Sequence, residues 1–120
     1  MVDMSDLSEK KCIPCKGSEH PLTVEETNNY LQQLLEWTIE KNHHLEKSFK
    51  FKNFKEALLF TNIIGQIAES EGHHPDIFLS WGKVDVTLFT HKIKGLSHND
   101  FILAAKIDLA KEKFNPEVIT

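Results

Sequence analysis

Three histidines have the type and spacing to do chemistry. His73 and His74 stand side by side in Glu71-Gly-His-His-Pro-Asp76, just past an apolar run, and His91 closes the alternating segment from Val84. Imidazole titrates in water at about 6.5, so it can give or take a proton near neutrality. Carboxylates that could orient an imidazole are close in sequence: Glu69 lies one helical turn before His73, and Asp100 follows His91. Each has a plainer explanation beside the chemical one. His-His-Pro serves as a polar helix-exit turn, Glu69 as a solvated helix-end acid, and Asp100 as a capping residue. His20, His43, His44 and His98 fall in loops, turns or a helix start and carry no assigned role.

Cys12 and Cys15 form a lone Cys-x-x-Cys outside any strand-to-helix pattern. A structural zinc usually takes four ligands, so two thiols in an N-terminal strap are read as reduced cysteines, with no metal and no redox role. The formal net charge is -4, which argues against a nucleic-acid surface. All the basic side chains are lysine, so two-pronged guanidinium clamps on carboxylate or phosphate are ruled out. No leader-like apolar segment follows the opening charges, and no run reaches the length of a membrane span; a cytoplasmic protein with no membrane partner is expected.

The histidines need elements to hold them. At 120 residues the chain is expected to form one domain over 22–120, preceded by an irregular lead-in over 1–21 that carries the Cys-x-x-Cys together with Pro14, Gly17 and Pro21. Three helix starts share one device, a capping side chain followed three residues later by a carboxylate: Thr23 with Glu26, Asn53 with Glu56, and Ser97 with Asp100. The first helix aligns Tyr30, Leu31, Leu34 and Leu35. The second runs to about Glu71 and, with Phe54, Ala57, Leu58, Phe60, Ile64 and Ala68, is expected to be largely buried. The third packs Phe101, Ala104, Ala105 and Leu109 inward before Pro116.

Between these helices lie two hairpins. One alternates through Trp37 and Ile39, turns near Asn42 and His43, and alternates again through Leu45, Phe49 and Phe51. The other joins Ile77–Trp81 to Val84–His91, with Gly82 and Lys83 suited to a tight primed turn. Helix, hairpin, helix, hairpin, helix gives an α+β two-layer sandwich: a four-stranded antiparallel sheet with three helices on one face. With Val84, Val86 and Leu88 inward, Asp85, Thr87, Phe89 and His91 point away from the helices, and His73 and His74 can approach His91 at one end of the sheet.

The stretch from Ala68 to Asp100 resembles the signature region of the pterin-4a-carbinolamine dehydratases: an acidic residue, His-His-Pro, an aromatic, Thr-His, Gly-Leu and Asp at intact spacing. Here these are Glu69, His73, His74, Pro75, Trp81, Thr90, His91, Gly95, Leu96 and Asp100. Upstream, Leu45–Phe60 is similar to the family's second strand and helix, so the likeness extends from Leu22 to Asp108, and the Cys-Ile-Pro-Cys lead-in is similar to bacterial members. Lys47 departs from it, standing where many members have arginine in what is taken as a surface or interface pair.

The resemblance implies loss of water from 4a-hydroxytetrahydrobiopterin to a quinonoid dihydropterin, in tetrahydrobiopterin recycling, with no cofactor. His73 and His91 would share acid and base roles, and His74 would bind and orient the pterin. Glu69, Pro75, Trp81, Thr90 and Asp100 would support them, Trp81 walling the flat ring and Asp100 backing His91. It also implies a homodimer or homotetramer and functional coupling to a phenylalanine hydroxylase. Two other classes compete. Three histidines could hold zinc, although neighbouring histidines in extended chain point apart and the helical i, i+4 pair is missing. A non-catalytic dimerisation or coactivator-type module on the same fold is the other.

Overall fold

A computed structural model describes residues 4–13 and 20–116, with no account of the side chains of residues 4–6. The elements are α1 (Met4–Glu9), α2 (Val24–Leu31), β1 (Thr38–Glu40), β2 (His44–Lys50), α3 (Phe54–Glu71), β3 (Asp76–Ser80), β4 (Lys83–Leu88), a single 3₁₀ turn (His91–Ile93) and α4 (His98–Lys113). The strands form one antiparallel sheet in the order β1-β2-β4-β3, so β3 is an edge. The expected α+β sandwich is the architecture found, with one helix more than expected.

That extra helix is α1, inside the segment expected to be irregular. Six residues are too few to show a hydrophobic period. Leu7 is nonetheless buried in the core, and α1 packs on α4. The consequence is an exchange of burial between helices. α3 buries one stripe, Ala57, Phe60, Ile64 and Ala68, and leaves Phe54 and Leu58 exposed rather than being largely buried. α4, covered on a second side by α1, buries Asn99 through Ala105, Ile107 and Asp108. Pro14, Cys15 and Gly17 lie outside the described residues.

Local signals explain most boundaries. Thr23 and Glu26 make the reciprocal cap, whereas Asn53 accepts from Glu56 N at 2.9 Å while the Glu56 carboxylate pairs with Lys52. α2 stops at Leu31; the turn that follows buries Leu34 and leaves Leu35 exposed, so those two do not share a face. Lys41 and Asn42 both take left-handed φ between β1 and β2, as a primed hairpin turn requires.

The β3–β4 turn differs from expectation. The Ser80↔Lys83 register makes Trp81 and Gly82 the two loop residues, and neither has a left-handed φ. Glycine is needed for another reason: a Cβ at position 82 would stand 2.8 Å from the Phe51 carbonyl oxygen, in the strand end whose N–H donates to Gly82 O. Gly82→Ala is expected to destabilise the protein by roughly 1–3 kcal/mol, read as a lower urea midpoint. An unchanged midpoint would contradict this close approach.

Candidate active site

The elements that end at one edge of the sheet build a cleft. Gly72 caps α3 in the left-handed conformation, φ 66, and His73 N donates to Ala68 O, closing the helix end. The chain then runs extended through His74 and Pro75 into β3. Beside it β4 finishes at Leu88, and the alternation continues: Thr90 is buried under the sheet end, while Phe89 and His91 turn to the other face. A Thr90↔Gly95 bridge holds this end in register. His73, His74, Pro75, Phe89, Thr90 and His91 thus line one cleft of about 450 Å³.

Each histidine is held differently. His73 Nε2 lies 2.6 Å from Asp100 Oδ1, and Asp100 is 0% exposed. Asp100 Oδ2 accepts from Thr90 Oγ1 at 2.8 Å and from Ser97 N at 3.0 Å, so the carboxylate caps α4 and fixes the imidazole at once. An acceptor-only carboxylate makes Nε2 the donor and leaves His73 Nδ1 as its free ring nitrogen. His74 meets a different carboxylate, its Nε2 2.5 Å from Glu69 Oε2, with both side chains exposed. The His91 ring packs on Phe89 with centroids 4.0 Å apart, and Phe89 in turn packs on His43 at 5.0 Å.

Four expectations change here. Asp100 supports His73, not His91, because the α4 N-terminus lies behind the helix-exit loop. Glu69 pairs with His74, since the chain after Gly72 turns the two neighbouring imidazoles toward different carboxylates. Trp81 sits at the far turn of the β3–β4 hairpin, 68% exposed, five residues and thus about 17 Å along the strand from Asp76. It does not line the cleft with the histidines. Lys47, expected in a surface or interface pair, instead pairs within the fold with the buried Asp108 at 2.8 Å. Among the described residues no three His, Cys, Asp or Glu side chains gather as a metal-ligand set, and no helix is long and apolar enough to cross a membrane.

The cleft also has residues that the motif did not mark: Cys12, Ile13, Glu71 and Asn99. Asn99 left one trace in the sequence, a second polar residue beside Asp100 just before the apolar run Phe101–Ala105. Burial, then the nearby Glu71 carboxylate, push the Cys12 thiol up to about 12, against a smaller lowering by Lys106. Only the thiolate attacks alkylating agents. In a Cys15→Ser variant at pH 8, Cys12 should therefore react with iodoacetamide at least about a hundredfold more slowly in the native protein than in urea. Equal rates would contradict the raised pKa of this half-buried thiol.

Comparisons with known proteins give the family. Residues 20–110 match the family described as "Pterin 4 alpha carbinolamine dehydratase". The chain belongs to this family. Relatives named "Putative pterin-4-alpha-carbinolamine dehydratase" include one from Alkaliphilus metalliredigens, 62% identical over 88% of this chain and 96% of that protein. Another, from Rubrobacter xylanophilus, is 51% identical over 88% and 98%. Among solved structures, the "transcriptional coactivator/pterin dehydratase from Brucella Melitensis" superposes with a TM-score of 0.71 at 35% identity, covering 75% of this chain and 97% of that one. The pterin-4a-carbinolamine dehydratase fold therefore accounts for the four-stranded sheet and the helices packed on it.

Proposed function

We propose that the protein dehydrates 4a-hydroxytetrahydrobiopterin to quinonoid dihydropterin by histidine acid–base catalysis, as a hydro-lyase of tetrahydrobiopterin recycling. The observation that carries this is the convergence of His73, His74 and His91 on one cleft, with His73 fixed by a buried carboxylate. Its volume falls in the range of about 300–1,000 Å³ found for small-molecule sites.

The chemistry needs two proton transfers. The N5 lone pair forms a C=N bond to C4a as the C4a–O bond breaks; the leaving hydroxide takes a proton and departs as water, and the N5 proton passes to a base. His73 and His91 exchange these protons, His73 through Nδ1, and His74 with Glu69 orients the ring. Pro75 and Thr90 keep the two histidine segments in place. No electron leaves the substrate, so no redox cofactor is called for.

Replacing His91 tests the assignment, because its ring is exposed and, among the described residues, its aromatic contact is the packing on Phe89. His91→Ala should lower the dehydration rate roughly 10²–10⁴-fold while the protein stays folded. A variant as fast as wild type would remove His91 from the chemistry.

A cytoplasmic homodimer or homotetramer working beside a phenylalanine hydroxylase completes the proposal. The edge strand β3 supports assembly: its Phe78 and the adjoining Trp81 are 62% and 68% exposed. The same patch favours the second reading, a non-catalytic dimerisation or coactivator-type module. Partner capture that survives a triple histidine replacement, with no dehydration by wild type, would select the module.

A further inference from the structure

We propose that the N-terminal strap at Cys12 and Ile13 is a substrate-contacting wall of the histidine cleft, and that Asn99 is the positioning residue that holds it there. The inference rests on the pterin reading of the cleft and adds a binding element to it.

The strap is anchored at several points by side chains that have no other evident task. The buried Asn99 amide grips a single residue from both sides: Ile13 N donates to Oδ1 at 2.9 Å, and Nδ2 donates to Ile13 O at 2.5 Å. Cys12 N donates to Glu71 Oε1 at 2.8 Å, and the Cys12 thiol donates to Asn99 O at 3.7 Å. Glu71 is itself paired with Lys106, whose Nζ also donates to Ser8 O at 2.6 Å, tying the strap to α1. Leu7 then fixes α1 in the core.

This construction aims backbone recognition at a surface segment that borders the cleft. Asn99 and Asp100 are neighbours at the start of α4: one holds His73, the other holds the strap, so a single helix end sets the spacing between the two sides of the site. The Ile13 side chain is left 70% exposed although it lines the cleft. An aliphatic group so placed, with its backbone immobilised, has apolar surface to bury when a flat ring or its substituent enters the cleft. The strap should therefore act on binding and leave proton transfer to the histidines.

The test is a KM-against-kcat comparison of wild type, Asn99→Ala and Ile13→Ser, joined to direct titration with 7,8-dihydrobiopterin, which lacks the leaving hydroxyl. Loss of two hydrogen bonds that preorganise the strap should raise KM and the dihydrobiopterin Kd about tenfold in Asn99→Ala, with kcat within about threefold of wild type. Ile13→Ser should move the same constants in the same direction, and its exposed position keeps the fold out of the result. Unchanged KM and Kd in both variants, or a fall in kcat at constant KM, would overturn the inference while leaving the pterin reading intact. A wild type that neither binds dihydrobiopterin nor dehydrates would remove both.

Discussion

His73→Ala and Asp100→Ala should each slow dehydration, His73→Ala by roughly 10²–10⁴-fold and Asp100→Ala by about ten- to a hundredfold. The double variant should be no slower than His73→Ala alone. The reason is geometric. Asp100 has no place on the cleft surface and reaches the substrate only through the 2.6 Å contact with His73 Nε2, so once the imidazole is gone its orienting carboxylate has nothing left to act on. Independent roles would instead multiply the two losses. Asp100→Ala also strips partners from Thr90 and from Ser97 N, which should cost about 1–3 kcal/mol of stability. Rates must therefore be taken well below the variant's unfolding transition. Multiplicative losses, or a kcat for Asp100→Ala equal to wild type, would contradict the pairing.

The largest expected effect on stability lies away from the cleft, at Lys47→Met. Asp108 is 4% exposed and accepts from Trp37 Nε1 at 3.0 Å on each oxygen and from Lys47 Nζ at 2.8 Å. Lys47 also donates to Leu35 O at 2.7 Å and stands over the Phe49 ring at 4.9 Å. Methionine keeps the volume but leaves a buried carboxylate without its cation, which should cost roughly 3–5 kcal/mol at neutral pH.

The pH dependence has a definite sign. Burial raises the Asp108 carboxyl above its ordinary value, and Lys47 is the main influence lowering it again. A raised folded value means that the native state holds the proton to higher pH than the unfolded chain. Its contribution to stability is greatest below the unfolded value and declines as pH rises through the window above 3.8. Removing Lys47 shifts that window upward, so the variant's deficit should shrink as pH falls from 7.5 towards 5. Urea unfolding of both proteins at the two pH values checks it; an equal deficit at both, or one below about 1 kcal/mol at pH 7.5, would contradict the buried pair.

What was legible in the sequence is what local chemistry writes there. Thr23 and Glu26 announce their cap, the alternation of Val84, Val86 and Leu88 predicts the outward turn of His91, and Gly72 with Pro75 predicts the extended exit that carries His73 and His74. What was not legible depends on which distant element covers which face. The carboxylate one helical turn before His73 is Glu69, yet the extended chain after Gly72 gives Glu69 to His74, and the fold brings Asp100 across to His73. Trp81 looked like part of the motif by spacing, but a β-strand of intermediate residues carries it to the opposite end of the sheet. α1 was invisible because one buried leucine sets no period. Without α1, neither the two-sided burial of α4 nor the strap held by Asn99 could be foreseen, although paired Asn and Asp just before the apolar run Phe101–Ala105 were the available clue.

The central claim, that the three histidines form a catalytic cleft, is tested most directly by the stopped-flow rate of water loss from 4a-hydroxytetrahydrobiopterin generated in situ by a phenylalanine hydroxylase. The rate is measured without protein, with wild type, and with a folded His73→Ala/His91→Ala double variant. A wild-type rate well above the spontaneous one is expected, with a double variant that falls back to within a few-fold of background. A wild type no faster than background, or a double variant that retains the full acceleration, would contradict it.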